Sequence, residues 1–310
     1  MGLLDGRVAV VTGAGRGIGA AIARRFAAEG AAVVVNDLGG AADGTGGDAG
    51  PAEEIAAGIR KAGGRAVADG GDVADTAVGR RLIDTAVDEF GTLDVLVNVA
   101  GILRDRMIFN LEEEDWDAVI RVHLRGHYST IRSASQYWRQ QRNAEGDYRI
   151  INFTSVSGLD GSPGQPNYAA AKMGIVGLTY SLAQGLARYG VTANAIAPGA
   201  ETRMTATVPE DRRAVAGSAA ERAADPARSP EQIAPLAVYL ASKRSRWLTG
   251  RVLSARGYEV GLYANPEIVR QLNTTGPWDP AQLGDLMEAN FRRVADGLPP
   301  SLFAAQRDCR

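Results

Sequence analysis

The sequence has a single cysteine, Cys309, among its 310 residues. One cysteine cannot close an internal disulfide and has no second thiol with which to share a metal, so we expect a reducing, cytoplasmic environment. Long apolar runs are also missing, and no stretch approaches the roughly 20 apolar residues that a membrane span needs. The chain does not open with a basic segment followed by an apolar one. The sequence therefore predicts a soluble protein without a membrane partner.

An excess of charge of either sign is missing as well, since 36 acidic residues stand against 34 basic ones. Proteins that bind nucleic acid neutralise phosphates with a strongly positive surface. This balance argues against nucleic acid as a partner. The length lies at the upper edge of what one domain usually reaches and allows a substantial core.

Short apolar, β-branched runs recur along most of the chain, and stretches of helical composition separate them. Each run is too short for a helix, and continuous apolar residues, such as the three valines from Val33, are typical of strands buried on both faces. This rhythm predicts a Rossmann-type α/β fold, a doubly wound parallel sheet with helices on both faces. The runs are residues 8–11, 32–35, 93–97, 149–153 and 191–196.

The alternation stops near residue 257. We expect one dinucleotide-binding domain over residues 1–257 and a C-terminal extension over residues 258–310 packed on it, because a separate domain of that length is unusual. Composition predicts a helix over residues 281–295 of the extension. Between Leu38 and Pro51 the glycine-rich sequence predicts a flexible loop, which either borders a ligand or is merely solvated.

A glycine-rich turn, Thr12-Gly-Ala-Gly-Arg-Gly-Ile-Gly19, joins the first predicted strand to a helical stretch at residues 20–29. Glycines at such a turn let the backbone approach a pyrophosphate, and the first amides of the helix point at the anion. Strand, glycine turn, helix and second strand within about 30 residues form a specific dinucleotide signature. The predicted contacts in the turn are Gly13, Arg16, Gly17, Ile18 and Gly19.

The second strand ends at Asp37, 18 residues after Gly19, where an adenosine ribose is expected to lie. A carboxylate there accepts hydrogen bonds from both ribose hydroxyls and repels a 2′-phosphate, which favours NAD over NADP. Arg16 instead favours NADP, because a guanidinium could pair with such a phosphate, although a solvated loop position explains Arg16 equally well.

More cofactor contacts are expected at the carboxyl ends of the third and fourth strands, where an open parallel sheet binds ligands. Asp72 could reach the adenine amino group. Its position, like that of Asn98, also fits an ordinary turn residue. The candidates at these two strand ends are Asp72, Val73, Asn98, Ala100 and Gly101.

Tyr168 and Lys172 stand four residues apart, and Ser155 precedes Tyr168 by thirteen. On a helix that spacing places both side chains on one face, about 6 Å apart. A nearby ammonium and an oxidised nicotinamide both favour a phenolate, so Tyr168 could exchange the proton of an alcohol while hydride moves to the cofactor. Ser155, or Ser157 in its place, would hold the substrate oxygen. Alone such a pair is often a surface feature, but the glycine turn and Ser155 favour the catalytic interpretation.

These motifs resemble the short-chain dehydrogenase/reductase family over roughly residues 5–257. Within the family they are most similar to the (3R)-hydroxyacyl-CoA dehydrogenase domains of peroxisomal multifunctional enzymes of type 2. The resemblance implies an NAD-dependent enzyme of lipid metabolism that interconverts a secondary alcohol and a ketone, with a 3-hydroxyacyl-CoA or hydroxysteroid substrate, in a homodimer or homotetramer built on helix packing. The strings that carry it are residues 33–40, 100–106, 115–117, 121–126, 165–172 and 203–205.

The resemblance assigns roles to individual positions. It makes Ser155, Tyr168 and Lys172 the catalytic residues, with Lys172 also on the nicotinamide ribose, and it supports the glycine turn, Asp37 and Asp72 as cofactor contacts. The residues that it places along the nicotinamide are Pro198, Gly199 and Thr202.

Two positions depart from the family pattern. Val99 replaces an asparagine and so loses one polar contact near the cofactor. His123 replaces the family's fourth catalytic residue, also an asparagine, but the multifunctional enzymes carry histidine there. We therefore include His123 in the catalytic set, in a water-linked proton relay of altered form. His123 and His127 have the spacing of metal ligands, yet without a glutamate between them or a third ligand no metal site is expected.

Two other functions stay open. A 3-oxoacyl-carrier-protein reductase shares the catalytic residues but usually prefers NADP, which Asp37 disfavours. A dinucleotide-sensing protein would keep the fold without needing Ser155, Tyr168 and Lys172 together. The choice of substrate is expected to lie in residues 202–229 and in the extension. The arginines there, Arg212, Arg213 and Arg222, could suit a CoA phosphate or could simply be solvated.

Overall fold

The computed structural model describes residues 2–143, 145–202, 221 and 224–297. Within these residues eight strands form one sheet in the order β3-β2-β1-β4-β5-β6-β7-β8, and every neighbouring pair is parallel except β7 and β8. The strands are β1 Val8–Thr12, β2 Ala32–Asn36, β3 Arg65–Asp69, β4 Val95–Asn98, β5 Tyr148–Phe153, β6 Val191–Gly199, β7 Arg251–Arg256 and β8 Glu259–Leu262. The five predicted strand runs fall in β1, β2, β4, β5 and β6.

Helices cover both faces of the sheet, which confirms the predicted Rossmann-type architecture. Among the helices of the described residues, none has the length and apolar character that crossing a bilayer takes. They are α1 Gly17–Ala28, α2 Gly50–Lys61, α3 Thr76–Phe90, α4 Glu113–Ile120, α5 Gly126–Gln141, α6 Val156–Leu159, α7 Pro166–Leu186, α8 Ala234–Ala241, α9 Pro280–Asn290 and α10 Arg292–Ala295, with a π-helical segment, Arg121–Arg125, between α4 and α5.

Alternate residues of each central strand enter opposite cores. In β1, Ala9 and Val11 pack with the apolar residues of α1, α2 and α8, whereas Val8 and Val10 pack with those of α3, α5 and α7. Because side chains of a strand alternate between the two faces of a sheet, a strand covered on both sides must be apolar at every position. In β1 and β2 the polar side chains, Thr12 and Asn36, stand at the last position of the strand.

The chain leaves the middle of the sheet in two directions. From β1 it continues to β2 and β3 on one side, and from β4 onward it builds the other side. The hydroxyl of Thr12 at the end of β1 accepts a hydrogen bond from the Val99 amide just after β4, at 3.1 Å. Such a reversal of strand order opens a crevice at the carboxyl ends of the strands, where open α/β sheets bind ligands.

The sheet continues past residue 257. Strand β8 pairs antiparallel with β7, from Arg256 opposite Glu259 to Leu253 opposite Leu262. Helices α9 and α10 lie close to the predicted range 281–295, and neither contains a buried residue. The division into a domain of residues 1–257 and an extension packed on it stays a prediction.

The contact between α3 and α5 leaves no room for a side chain at Gly79. A Cβ on Gly79 would lie 2.8 Å from the backbone carbonyl of Ser129. We expect Gly79→Ala to lower the free energy of unfolding by about 2 kcal/mol, because the two helices must move apart. On the exposed face of α2, a Cβ added to Gly58 would meet no described atom within 4 Å. Gly58→Ala should therefore raise the free energy of unfolding by up to about 1 kcal/mol. Denaturant unfolding of both variants measures this, and equal stabilities would contradict the close helix contact.

Candidate active site

A cavity of about 700 Å³ opens at the carboxyl ends of the strands. It brings together the two halves of the predicted site, the glycine turn and the residues around Tyr168, although they are far apart in the sequence. The predicted site residues on its wall are Gly13, Arg16, Gly17, Ile18, Gly19, Asp37, Asp72, Val73, Ala100, Gly101, His123, Ser155, Tyr168, Lys172, Pro198, Gly199 and Thr202.

Asn98 is the predicted cofactor contact that lies behind the wall. Its side chain is buried, with Nδ2 donating to Asn152 Oδ1 at 3.1 Å and Oδ1 accepting from the Thr130 hydroxyl at 2.8 Å. These bonds tie the end of β4 to β5 and α5. The structure therefore places Asn98 where it supports the strand ends that carry Ala100 and Gly101.

Close backbone contacts shape the glycine turn. Gly13 has a φ of +63°, and a Cβ there would lie 2.7 Å from the Ala100 backbone. A Cβ on Gly19 would lie 2.7 Å from the Gly13 carbonyl carbon. Helix α1 starts directly in the cavity wall, and no side chain caps its first amides in the described part of the chain. Uncapped amides at a helix N-terminus form a binding site for an anion.

Asp37 holds the turn and the following loop in place. Its Oδ2 accepts a hydrogen bond from the Gly15 amide at 2.8 Å, and its Oδ1 accepts one from the Gly39 amide at 2.6 Å. Each carboxylate oxygen can accept a further bond, so the side chain can still receive hydroxyl donors from the cavity. Its negative charge opposes a second anion at the same place.

The glycine-rich loop after Asp37 borders the cavity, with Leu38, Gly40, Ala41, Ala42 and Gly44 in its wall. The carbonyl of Ala42 accepts from the Leu103 amide at 3.0 Å, and the carbonyl of Asp43 accepts from Arg104 Nε at 2.9 Å. Arg16 reaches the Gly40 carbonyl at 3.4 Å. These bonds give the loop a defined course across the cavity.

Asp72 has a partner that the sequence did not reveal. Its Oδ1 accepts from the Ala74 amide at 2.9 Å, and its Oδ2 forms an ion pair with Arg121 at 2.6 Å. Arg121 also lies on the cavity wall. It belongs to one of the strings that resemble the family, but no spacing rule relates it to Asp72, so sequence alone could not have paired the two.

Ser155, Tyr168 and Lys172 meet in the other half of the cavity. Ser155 caps α6 by accepting from the Ser157 amide at 3.1 Å, and its hydroxyl lowers the pKa of the Tyr168 phenol. Helix α7 starts at Pro166, so Tyr168 and Lys172 occupy its first two turns. Lys172 Nζ lies 5.4 Å from the centre of the Tyr168 ring and donates to the Phe153 carbonyl at 2.8 Å.

Burial decides the protonation of this pair. It raises the pKa of Tyr168 to about 12, which the Ser155 hydrogen bond lowers in part and the Asp105 charge raises further. It also lowers the pKa of Lys172 to about 7. The sequence predicts that a nearby ammonium and an oxidised nicotinamide together favour the phenolate, whereas in the free chain burial moves the pKa of Tyr168 upward. Desolvation outweighs attraction to an amine that is itself only partly charged at neutral pH.

His123 packs against the far side of Tyr168, with ring centres 5.2 Å apart and ring planes at 82°. Its Nε2 lies 2.9 Å from the Ile102 carbonyl oxygen and 3.2 Å from the Ile102 amide nitrogen. Burial, with a contribution from the charge of Lys172, lowers the pKa of His123 well below its usual value and keeps the ring neutral. The residue sits in the π-helical segment, a distortion that is frequent at functional sites.

Two residues that the sequence left as secondary candidates have other surroundings. The Ser157 hydroxyl donates to Gln165 Oε1 at 2.9 Å, behind Ser155. His127 is buried in α5, where burial lowers its pKa to about 3. In the described ranges no group of three or more His, Cys, Asp or Glu side chains is placed to hold a metal ion.

Asp105 and Gln165 are wall residues that sequence reasoning missed. Gln165 Nε2 donates to Asp105 Oδ2 at 2.8 Å. Asp105 stands between two arginines and is easily taken for a solvated charge, so its position gave no signal. Several other positions of the sequence analysis lie outside the described residues, namely residues 203–205, Arg212, Arg213, Arg222 and Cys309.

Comparison with known proteins agrees with this geometry. The family model for short chain dehydrogenases matches residues 7–213. A hydroxyacyl-CoA dehydrogenase of Mycobacterium tuberculosis is 45% identical over 288 residues, which are 90% of this chain and 87% of that protein. The peroxisomal multifunctional enzyme type 2 of Mus musculus is 45% identical over 237 residues, 76% of this chain but 30% of that longer protein.

A solved structure gives the same result in three dimensions. The crystal structure of a short chain dehydrogenase from Mycobacterium avium matches with a TM-score of 0.82 and 46% identity, over 97% of this chain and 99% of that one. The chain therefore belongs to the short-chain dehydrogenase/reductase family of oxidoreductases, which bind a nicotinamide dinucleotide and act on small molecules, and its relatives in this family include a hydroxyacyl-CoA dehydrogenase.

Proposed function

We propose that this protein is an NAD-dependent dehydrogenase that interconverts a 3-hydroxyacyl-CoA and the corresponding 3-oxoacyl-CoA, with Tyr168 as the acid and base. The observation that carries the proposal is the meeting of Ser155, Tyr168 and Lys172 in the same cavity as the glycine turn and Asp37. The acyl-CoA class is supported by the relatives named above. A hydroxysteroid is the second substrate class, from the resemblance in sequence.

The cavity fits a nicotinamide dinucleotide, which when bound supplies the hydride acceptor or donor. The uncapped amides of α1 and the open backbone around Gly13 suit a pyrophosphate. Asp37 would accept from the adenosine ribose, and its charge favours NAD over NADP. Asp72 would lie toward the adenine, and Lys172 would hold the nicotinamide ribose. The residues proposed along the nicotinamide are Pro198, Gly199 and Thr202.

The raised pKa of Tyr168 makes its phenol a proton donor in the free chain. In ketone reduction Ser155 would hold the ketone oxygen and Tyr168 would donate its proton to it. In the opposite direction the phenol must first release its proton, so added positive charge nearby is required. Lys172, half-charged near neutral pH, is a cation that faces the ring.

We assign His123 the place of the missing asparagine. It fixes Ile102 through Nε2 and packs on Tyr168, so it holds two walls of the site. Its Nδ1 is buried and has no hydrogen-bond partner among the described residues, and this atom is where a water-linked relay from Lys172 would continue. We also propose a homodimer or homotetramer built on helix packing, in which the exposed rings of Trp116 and Tyr128 would be covered.

The first test is turnover. Purified protein is incubated with NAD or NADP and a panel of 3-hydroxyacyl-CoAs and hydroxysteroids, and the absorbance of the reduced nicotinamide is followed. We expect turnover of the acyl thioesters with NAD. Turnover with NADP alone would point to the oxoacyl reductase. Tight NAD binding without turnover of any compound would instead favour the dinucleotide sensor.

The cofactor preference should depend on the charge of Asp37. Asp37→Asn removes the charge and keeps one acceptor oxygen for the glycine amides, so we expect the ratio of kcat/KM with NADP to that with NAD to rise by about tenfold or more. Asp48→Asn is the matched control, because Asp48 lies exposed in the same loop and its side chain accepts from the Gly50 amide. An unchanged ratio in Asp37→Asn would contradict the ribose assignment.

The phenol itself is tested by Tyr168→Phe. Loss of the general acid should lower kcat by about 10³-fold, while the Kd for NAD changes by no more than about twofold. Tyr180→Phe, on the same helix but packed with Val176 and Val252, removes an equivalent hydroxyl and should keep near-native rates. Steady-state kinetics and NAD titration of both variants test this role of the Tyr168 phenol. A native rate in Tyr168→Phe would contradict the proposed role of Tyr168 as acid and base.

A further inference from the structure

A line of hydrogen bonds joins Asp105 to Ser155, beside the Tyr168 phenol. Asp105 Oδ2 accepts from Gln165 Nε2 at 2.8 Å, and Gln165 Oε1 accepts from the Ser157 hydroxyl at 2.9 Å. The Ser157 amide then donates to Ser155 Oγ at 3.1 Å, and Ser155 in turn lowers the pKa of Tyr168. The line starts after β4, crosses to the residue before α7 and ends on α6, so it connects three parts of the chain that form the substrate half of the cavity.

The middle of this line is largely buried. Gln165 is 8% exposed and Ser157 is 5% exposed. Buried polar groups need their hydrogen-bond partners, and loss of one partner leaves the other with a desolvation cost. The orientation of the Gln165 amide is therefore fixed by Asp105 on one side and by Ser157 on the other. Ser157 in turn orients Ser155 through its amide hydrogen bond to Ser155 Oγ.

Asp105 and Tyr168 both line the cavity, and the charge of Asp105 raises the pKa of the phenol, while the charge of Arg106 lowers the pKa of Asp105 itself. Among the described residues, none of the cations forms an ion pair with Asp105. Arg104 is bonded to Asp115 at 3.3 Å, and Arg106 bonds the backbone carbonyl of Asp105 from the solvent side. The other ionisable groups facing the phenol are Lys172 and the neutral ring of His123. A carboxylate near a phenol disfavours the phenolate.

We propose that Asp105 is a positioning residue of the active site, which holds Ser155 in place through Gln165 and Ser157 and acts on the Tyr168 phenol through its negative charge. This inference rests on the proposed role of Tyr168 as acid and base. Its consequence is a site prepared for ketone reduction, because the proton to be donated stays on the phenol. Alcohol oxidation then requires a higher pH than it would without Asp105.

Three variants separate the charge from the hydrogen bond. Asp105→Asn removes the charge but keeps an acceptor for Gln165, Asp105→Ala removes both, and Gln165→Met removes the hydrogen bonds and keeps the charge. Asp84→Asn, an exposed carboxylate paired with Arg80 on α3, is the control for loss of one negative charge. The readout is the pH profile of kcat/KM for alcohol oxidation at saturating NAD, together with kcat on its plateau.

Removal of the charge lowers the pKa of Tyr168, so the rising limb of the profile should move to lower pH by about one pH unit in both Asp105 variants. Asp105→Asn should keep its plateau kcat within about threefold of wild type, whereas Asp105→Ala should lose about tenfold. Gln165→Met should lower the plateau kcat without moving the rising limb of the profile to lower pH. The profile of Asp84→Asn should match wild type.

Two results would overturn the inference. A rising limb that stays at the wild-type pH in both Asp105 variants would remove the electrostatic role, and a native plateau kcat in Asp105→Ala would remove the positioning role. NAD affinity and circular dichroism report on folding in each variant. If both Asp105 variants lose activity while the rising limb of the pH profile stays at the wild-type pH, Asp105 has only a structural role.

This test does not depend on the acyl-CoA assignment. Any secondary alcohol that the wild type oxidises can be used, so failure with 3-hydroxyacyl-CoAs rejects the proposed substrate and leaves the Asp105 comparison intact. If no alcohol is oxidised, the phenol is titrated directly by its near-ultraviolet absorbance, as the difference between proteins with tyrosine and phenylalanine at position 168. The same difference in the Asp105→Asn background must titrate at lower pH, or the inference is rejected.

Discussion

The burial of a parallel sheet on both faces is the constraint on which the rest of this structure depends. It makes the central strands apolar at nearly every position, as in β1 and β2, and it leaves the strand ends as the place for polar chemistry. Because the strands run parallel, their carboxyl ends meet along one edge. The glycine turn after β1, Asp37 after β2 and Ser155 after β5 are brought to one cavity for this reason.

That constraint explains which parts of the site could be predicted. Strand runs, the glycine turn and the residues that directly follow a strand are local in sequence, and the parallel topology converts them into neighbours in space. The outcome at Asn98 shows the limit of this rule, since the last residue of a strand can point into the core, and Asn98 bonds Asn152 and Thr130 there. The partners of Asp72 and Asp105 depend on how separate loops fold back, and no pattern along the chain encodes those contacts.

Burial also explains why the protonation of Tyr168 could not be predicted from spacing. The four-residue separation from Lys172 is correct, and the two groups do lie together. Spacing, however, says nothing of desolvation, which moves the pKa of the phenol up and that of the ammonium down. Both shifts favour the neutral forms, so the free site holds a protonated phenol next to an amine that can be charged or neutral near pH 7. Small changes in local charge therefore have a large effect on this pair.

Two carboxylates near opposite ends of the cavity act through charge in different ways. Asp37 is bonded to two backbone amides, and its negative charge suits a residue that must repel a phosphate. Asp105 has one side-chain amide as its partner, and burial raises its pKa. While Asp105 is ionised, its negative charge disfavours the phenolate of Tyr168. An aspartate thus serves cofactor binding where backbone amides surround its carboxylate, and proton transfer where few hydrogen-bond donors surround it.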